Sequence, residues 1–378
     1  MPVLPAPDPI GIPAPPALLQ FLLVLTYTLH TLFVGVVVGG TALGLVHTLA
    51  VRRGETALWP LGAHLSQALP VAMAFAITTG VAPLLFVQVL FGQFFYTSSV
   101  FVGWTWISVI AALIAGYYAL YYWAIRRRER AHPPGWGLAV ALLALAWVAF
   151  VMVTNMSLYA RPERFAELFN LAGTALNTSE PTFAPRYVHA LLNFLVIGAS
   201  YALTAGHLLG RRLPDGGRRI RGFALRWLAG SLAIQAAASA WYYVSLPVAL
   251  RQGTLQVAGM VIALILGAVM LAVWVLAQHA ARPGAWAASG AAATVAMAAG
   301  LAVARHGVRM ASLSAYLQPE AWKLSPQWPQ FVLFAALLLG GLVLVGYLLW
   351  RYPWQQGLRE LQADAGAPGP DPIVTSRH

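Results

Sequence analysis

The chain has 378 residues, of which 60% are hydrophobic and 9% charged, with a net charge of +12 and no cysteine; its mean hydropathy is +0.70. A soluble domain carries roughly 25% charged residues, so this composition is that of a polytopic membrane protein. Without thiols, disulfides, thiolate metal sites, iron-sulfur clusters and covalently attached c-type haem are excluded, which leaves histidine and methionine as soft ligands. The positive balance is nearly all arginine and falls mainly on one side of the expected membrane. It therefore speaks for topology and contact with anionic lipid, and against nucleic acid as a partner.

Residues 1–16 are proline-rich, lack a basic region ahead of the apolar run, and read as an extended lead-in. Nine apolar runs follow, near 17–51, 61–92, 99–125, 135–158, 187–210, 223–249, 255–281, 284–304 and 329–350. Each is long enough to cross about 30 Å of hydrocarbon. The expected fold is all-α, with about nine transmembrane helices in two packed bundles over 17–351 and a partly disordered tail over 352–378. Sixteen of the 23 basic residues lie in the loops after the first, third, fifth and seventh runs and in the tail. That bias places the N-terminus outside and the C-terminus in the cytoplasm. Two outer segments, 159–186 and 305–328, are the expected docking surfaces.

Ionisable groups inside a bilayer are costly and point to function. None of the eleven acidic residues falls within an apolar run, which weighs against a carboxylate proton relay and leaves histidine as the main titratable group there. The organising stretch is Pro185-Arg186-Tyr187-Val188-His189-Ala190-Leu191-Leu192-Asn193-Phe194. His207 follows His189 by eighteen residues, five helical turns, so both rings leave one face about 27 Å apart. With the spans in place, His30, His189, His306 and Met260 form an outer layer, and His47, His64, His207 and His279 an inner one. Two layers of His and Met suggest axial haem ligands. The plainer reading for a histidine near a helix end is a ring snorkelling to the interface.

The order of four segments resembles subunit I of the cytochrome bd quinol oxidases and related b-haem membrane proteins. These are Leu29-His30-Thr31-Leu32-Phe33-Val34, Thr78-Thr79-Gly80-Val81 followed by Gln88 and Gly92, Tyr187-Val188-His189, and Leu255-Gln256-Val257-Ala258-Gly259-Met260. The resemblance implies that His189 and Met260 hold a low-spin haem and that His30 serves a second haem. The family's glutamate ligand is missing near Ala304-Arg305-His306-Gly307-Val308-Arg309-Met310. There His306 is the candidate replacement, and Arg305 and Arg309 are candidate partners of haem propionates. The long quinol loop is reduced to about 250–254.

The resulting expectation is a b-type cytochrome subunit of a bacterial inner (cytoplasmic) membrane, with two or three noncovalent haems. A third haem would lie between His207 and His279. Electrons would pass between quinone on the lipid side and a periplasmic c-type cytochrome or other redox subunit at the outer loops. The alternatives are a bd-type oxidase that reduces oxygen and, in another class, a haem-free transporter or scaffold subunit.

Overall fold

The computed structural model describes residues 5–6, 8–129, 134–251, 254–279, 283–317 and 322–366. Its helices are α1 (Pro16–Arg52), α2 (Trp59–Phe101), α3 (Gly103–Glu129), α4 (Trp136–Leu158), α5 (Phe165–Leu168), α6 (Phe183–Leu209), α7 (Pro214–Ser245), α8 (Val248–Arg251), α9 (Thr254–Ala277), α10 (Pro283–Leu313) and α11 (Trp328–Gly366). Eight of these are long and apolar enough to cross a membrane, and the fold is the all-α polytopic one expected from composition. Large apolar side chains such as Phe21, Trp104, Ile110, Leu143, Ile265 and Val343 lie on its surface, as suits a protein whose solvent is lipid.

Helix boundaries follow local chemistry. Proline opens α1 and α7 at their first turns, where its missing N–H costs nothing. Gly54, at φ +100, takes the chain out of α1, a conformation that β-carbons disfavour. Within α2, Pro70 and Pro83 are followed by a break at Phe91 (φ −135, ψ 27), so the helix bends and continues to Phe101 instead of ending near residue 92. The sixth expected run lies in α7, a 32-residue helix that is less apolar than the other long helices because Asp215, Arg218, Arg219, Arg221 and Arg226 fill its first half and its apolar second half is interrupted by Ser231, Gln235 and Ser239. Those residues are sheltered: Ser231 and Gln235 are buried, and α7 packs along α6.

Helices α1–α4 form one bundle and α6, α7, α9 and α10 a second, joined where α1 meets α6 and α10. The α1–α6 seam is set by glycine. A β-carbon at Gly198 would stand 2.5 Å from the carbonyl carbon of Gly39, and one at Gly39 would strike the Phe194 carbonyl oxygen. The helices therefore touch backbone to backbone, which fixes the spacing between α1, the helix that carries His30, and α6, the helix that carries His189.

Three expected boundaries shift. Helix α10 runs on to Leu313, so Arg305, His306 and Arg309 are helical residues of the bundle and not part of an outer loop. Arg186 sits in the first turn of α6. Helix α11 continues past residue 351 to Gly366, while 367–378, the rest of the expected tail, lies outside the described residues. The lead-in is tied down: Ile12 forms an isolated parallel bridge with Leu324, its N–H donating to the Lys323 carbonyl at 2.8 Å and its carbonyl accepting from Ser325 N–H at 2.9 Å.

Candidate functional site: two adjoining cavities

At the end of the bundle where α1, α6 and α9 begin and α4, α7 and α10 finish, two cavities lie side by side. The first, of about 430 Å³, is bordered by His189 and Asn193 of α6, Gln235 and Tyr242 of α7, Met260 of α9, and Arg305 and Arg309 of α10. Arg186 borders it too. The second, of about 310 Å³, is bordered by His30 of α1, Gly80 of α2, and an otherwise apolar wall of Leu, Val, Met and Ala side chains. Tyr27, Thr31, Ala190, Phe194, Arg305 and Arg309 border both. Both volumes are in the range of small-molecule and cofactor sites.

Helical spacing explains the first cavity. Arg186, His189 and Asn193 are separated by three and four residues and so share one face of α6. His189 Nε2 is 3.1 Å from the Gln235 amide nitrogen, which donates to it. The other groups are less satisfied: Asn193 Oδ1, Gln235 Oε1, Arg186 Nε and Arg309 Nε are buried without a hydrogen-bond partner. Buried polar atoms are normally paired, so these four residues leave hydrogen-bonding capacity around one space that a polar ligand with slight side-chain adjustment can use.

The second cavity is built around one ring. His30 Nδ1–H donates to the Ala76 carbonyl at 2.9 Å, which fixes the tautomer and makes Nε2 the basic nitrogen, as is usual for a ligating histidine. Gly80 makes room for it, since a β-carbon there would lie 2.9 Å from His30 Cε1. Substituting Gly80 by Leu is expected to displace the ring and, if the two cavities hold separate ligands, to abolish binding at the second while leaving the first occupied, read as a halved ligand-to-protein ratio.

The arginines are positioned by neutral groups. Arg305 donates to the Tyr27 hydroxyl and lies 4.5 Å over that ring. Arg309 donates to His306 Nδ1 at 3.2 Å, and His306 Nε2–H donates to Gln20 Oε1 at 3.1 Å. His306 thus has both nitrogens engaged behind Arg309 and borders neither cavity. Arg186 donates to Thr182 Oγ1 and the Tyr242 hydroxyl at 3.3 and 3.2 Å. Thr182 in turn donates to Glu180, whose carboxylate pairs with Arg161 at 3.3 Å. This links the cavity to the 159–182 segment. Tyr316, beyond α10, donates to Glu163 at 3.3 Å, and burial together with that carboxylate holds its phenol above the ordinary range.

The other expected residues lie elsewhere. His207 is buried with neither nitrogen hydrogen-bonded and its ring stacks on Trp274 at 5.7 Å. His279 is exposed in the turn after α9. Neither borders the two cavities, so the pair expected for a third haem is not brought to a shared space there. His47 Nε2–H donates to the Leu58 carbonyl at 3.0 Å, and His64 Nε2 bonds the Tyr201 hydroxyl at 2.7 Å. These two rings act as interhelical or helix-to-loop ties. Tyr201→Phe is expected to cost about 1–2 kcal/mol of stability in thermal unfolding, with no change in any cofactor spectrum.

Arg186, Asn193, Gln235, Tyr27 and Tyr242 had not been singled out as site residues from sequence. The legible signal was a polar side chain inside an apolar helix, one turn from a candidate ligand, as Arg186 and Asn193 are from His189.

No protein-family model matches the chain, and no curated protein matches it in sequence. Among solved structures it is similar to a chain of the bd oxidase from Geobacillus thermodenitrificans, with a TM-score of 0.65 and 13% identity over 92% of this chain and 99% of that one. At that identity the likeness establishes the fold. The chain has a bd-oxidase-like fold.

The residues present fit haem. Among the described residues no three His, Asp or Glu side chains gather to hold a metal ion, so a metal bound by protein side chains alone has no ligand set there. A porphyrin supplies four nitrogens itself and asks the protein for one or two axial donors. His189 with Met260 in the first cavity, and His30 in the second, meet that need.

Proposed function

We propose that this chain is a membrane-embedded b-type cytochrome subunit. The observation that carries this reading is the convergence of His189 and Met260, from α6 and α9, on one cavity bordered by Arg186, Arg305 and Arg309. Two soft donors and several cations around a largely apolar cavity match what a haem with two carboxylates asks of a protein. The bd-oxidase-like fold supports the same reading.

In this proposal His189 and Met260 hold a low-spin haem, and His30 holds a second. When bound, the haems supply one-electron chemistry. The chain's own residues orient them, exclude water with the apolar walls and balance their acid groups with arginine. Residues 17–351 form the membrane domain in a bacterial inner membrane, with the N-terminus outside. Electrons pass between quinone and a periplasmic c-type cytochrome or similar redox subunit docked on the 159–182 and 314–327 segments, the first of which is linked to Arg186 through Glu180 and Thr182. A reduced-minus-oxidised spectrum of the purified protein tests this. A b-type α-band is expected, and its absence sinks the reading in favour of a haem-free transporter or scaffold.

One observation favours a terminal oxidase as a second reading. Among the described residues His30 is the one histidine bordering the second cavity, with Met73, Met152 and Met156 in the rest of its wall; a haem held there by His30 alone would supply oxygen-binding chemistry. Quinol-dependent oxygen uptake by the purified complex decides it.

A further inference from the structure

We propose that Arg305 and Arg309 form a single anion clamp shared by both cavities, so that the carboxylate edges of two ligands meet there and the two sites interact, whereas Arg186 serves the first cavity alone. This rests on the reading of both cavities as haem sites.

Arg305 and Arg309 are four residues apart on α10 and so lie on one face. Both border both cavities, as does Tyr27, which holds Arg305; Arg186 borders only the first. Arg309 is 8% exposed and its Nε has no partner. Among the described residues neither α10 arginine pairs with a carboxylate, and none of the eight apolar spans within the helices contains Asp or Glu. What holds them is neutral or aromatic: the Tyr27 hydroxyl, His306 backed by Gln20, and the rings of Phe91 and Tyr159 at 5.6 and 5.9 Å from Arg309. Arg186, by contrast, is already joined through Thr182 to the buried Glu180.

Two like charges one turn apart, withdrawn from water with no counter-ion, are strongly disfavoured unless an anion joins them. The spaces both arginines border are the two cavities, so the compensating anions come from what fills them. Arginine's planar fork suits carboxylate, and a haem carries two carboxylates on one edge. With one cation pair serving both ligands, a change of charge in either cavity is felt in the other.

Potentiometric titration of the purified protein tests the clamp. Reduction adds negative charge at the iron, and a nearby cation favours it. Removing that cation therefore lowers the midpoint potential. Arg309→Gln is expected to lower the potentials of both haem components, and Arg186→Gln only that of the component lost in His189→Ala. Arg309→Lys keeps the charge but not the fork; it is expected to move both in the same direction by less, and it keeps the test decisive if Arg309→Gln does not fold. A shift confined to one component in the Arg309 variants, or in neither, overturns the shared clamp while leaving the haem reading intact. A preparation with no b-type band removes both.

Discussion

On the haem reading, replacing His189 by alanine is expected to remove one low-spin b-type component and lower the haem-to-protein ratio by one equivalent, with the component assigned to His30 retained. The expectation follows from how the first cavity is built. Among the described residues His189 is the one histidine bordering it, and the second proposed donor, Met260, is a thioether too weak to retain a haem alone. The Gln235 amide faces His189 Nε2 at 3.1 Å and would have to turn aside were that nitrogen to hold a haem; its unpartnered Oε1 shows that its present orientation leaves one hydrogen bond unmade. Pyridine haemochrome analysis against protein concentration gives the ratio, and added imidazole should restore the lost band by filling the vacated space. His306→Ala and His207→Ala are the contrasting cases. His306 stands behind Arg309 and His207 stacks on Trp274, so both variants keep the full haem complement. An unchanged ratio in His189→Ala would refute the assignment.

The second large effect is expected at the α1–α6 seam. Gly198→Val places a β-carbon 2.5 Å from the Gly39 carbonyl carbon, well inside van der Waals contact and against backbone, which cannot rotate away. Overpacking of this kind costs about 3 kcal/mol or more. Because the seam sets the spacing of His30 and His189, both spectral components should weaken together with thermal stability in detergent. Gly230→Ala on α7 is the control: nothing lies within 4 Å of the added carbon, and alanine is the better helix former, so stability should hold or rise slightly. Equal loss in the two variants would show that the seam has no special role.

Much of this was legible in the sequence because the bilayer makes strong demands. Long apolar runs, arginine-rich loops and the confinement of acids to loops and tails all follow from the cost of exposing backbone or charge to hydrocarbon. They were sufficient for the all-α architecture and for nearly every helix. The sixth run was the weakest in that pattern, and α7 shows why: its serines and Gln235 are sheltered against α6 and the first cavity. Boundaries were less legible. Apolar composition ends where the hydrocarbon does, whereas a helix ends where its backbone hydrogen bonds stop. Thus α10 carries Arg305, His306 and Arg309 past the apolar run, and α2 continues past its break at Phe91.

The site divides along the same line. His30, His189, Met260, Arg305 and Arg309 could be selected from sequence because each is a donor or charge at one level of an apolar helix, and the structure gathers them at two adjoining cavities. What pairs with what could not be selected that way. His306 looked like a ligand because it is an imidazole at the right depth, yet Gln20, 286 positions away, and Arg309 engage both its nitrogens. His207 shares a face of α6 with His189 by simple periodicity, but Trp274 of α9 covers it. By itself, then, the sequence determined that the chain is helical, that it crosses a membrane and that His, Met and Arg are its chemical resources. Only the tertiary structure decided which of them share a cavity. Helical period orders side chains within one helix, and the approach of α1 to α6 through Gly39 and Gly198 orders them between helices.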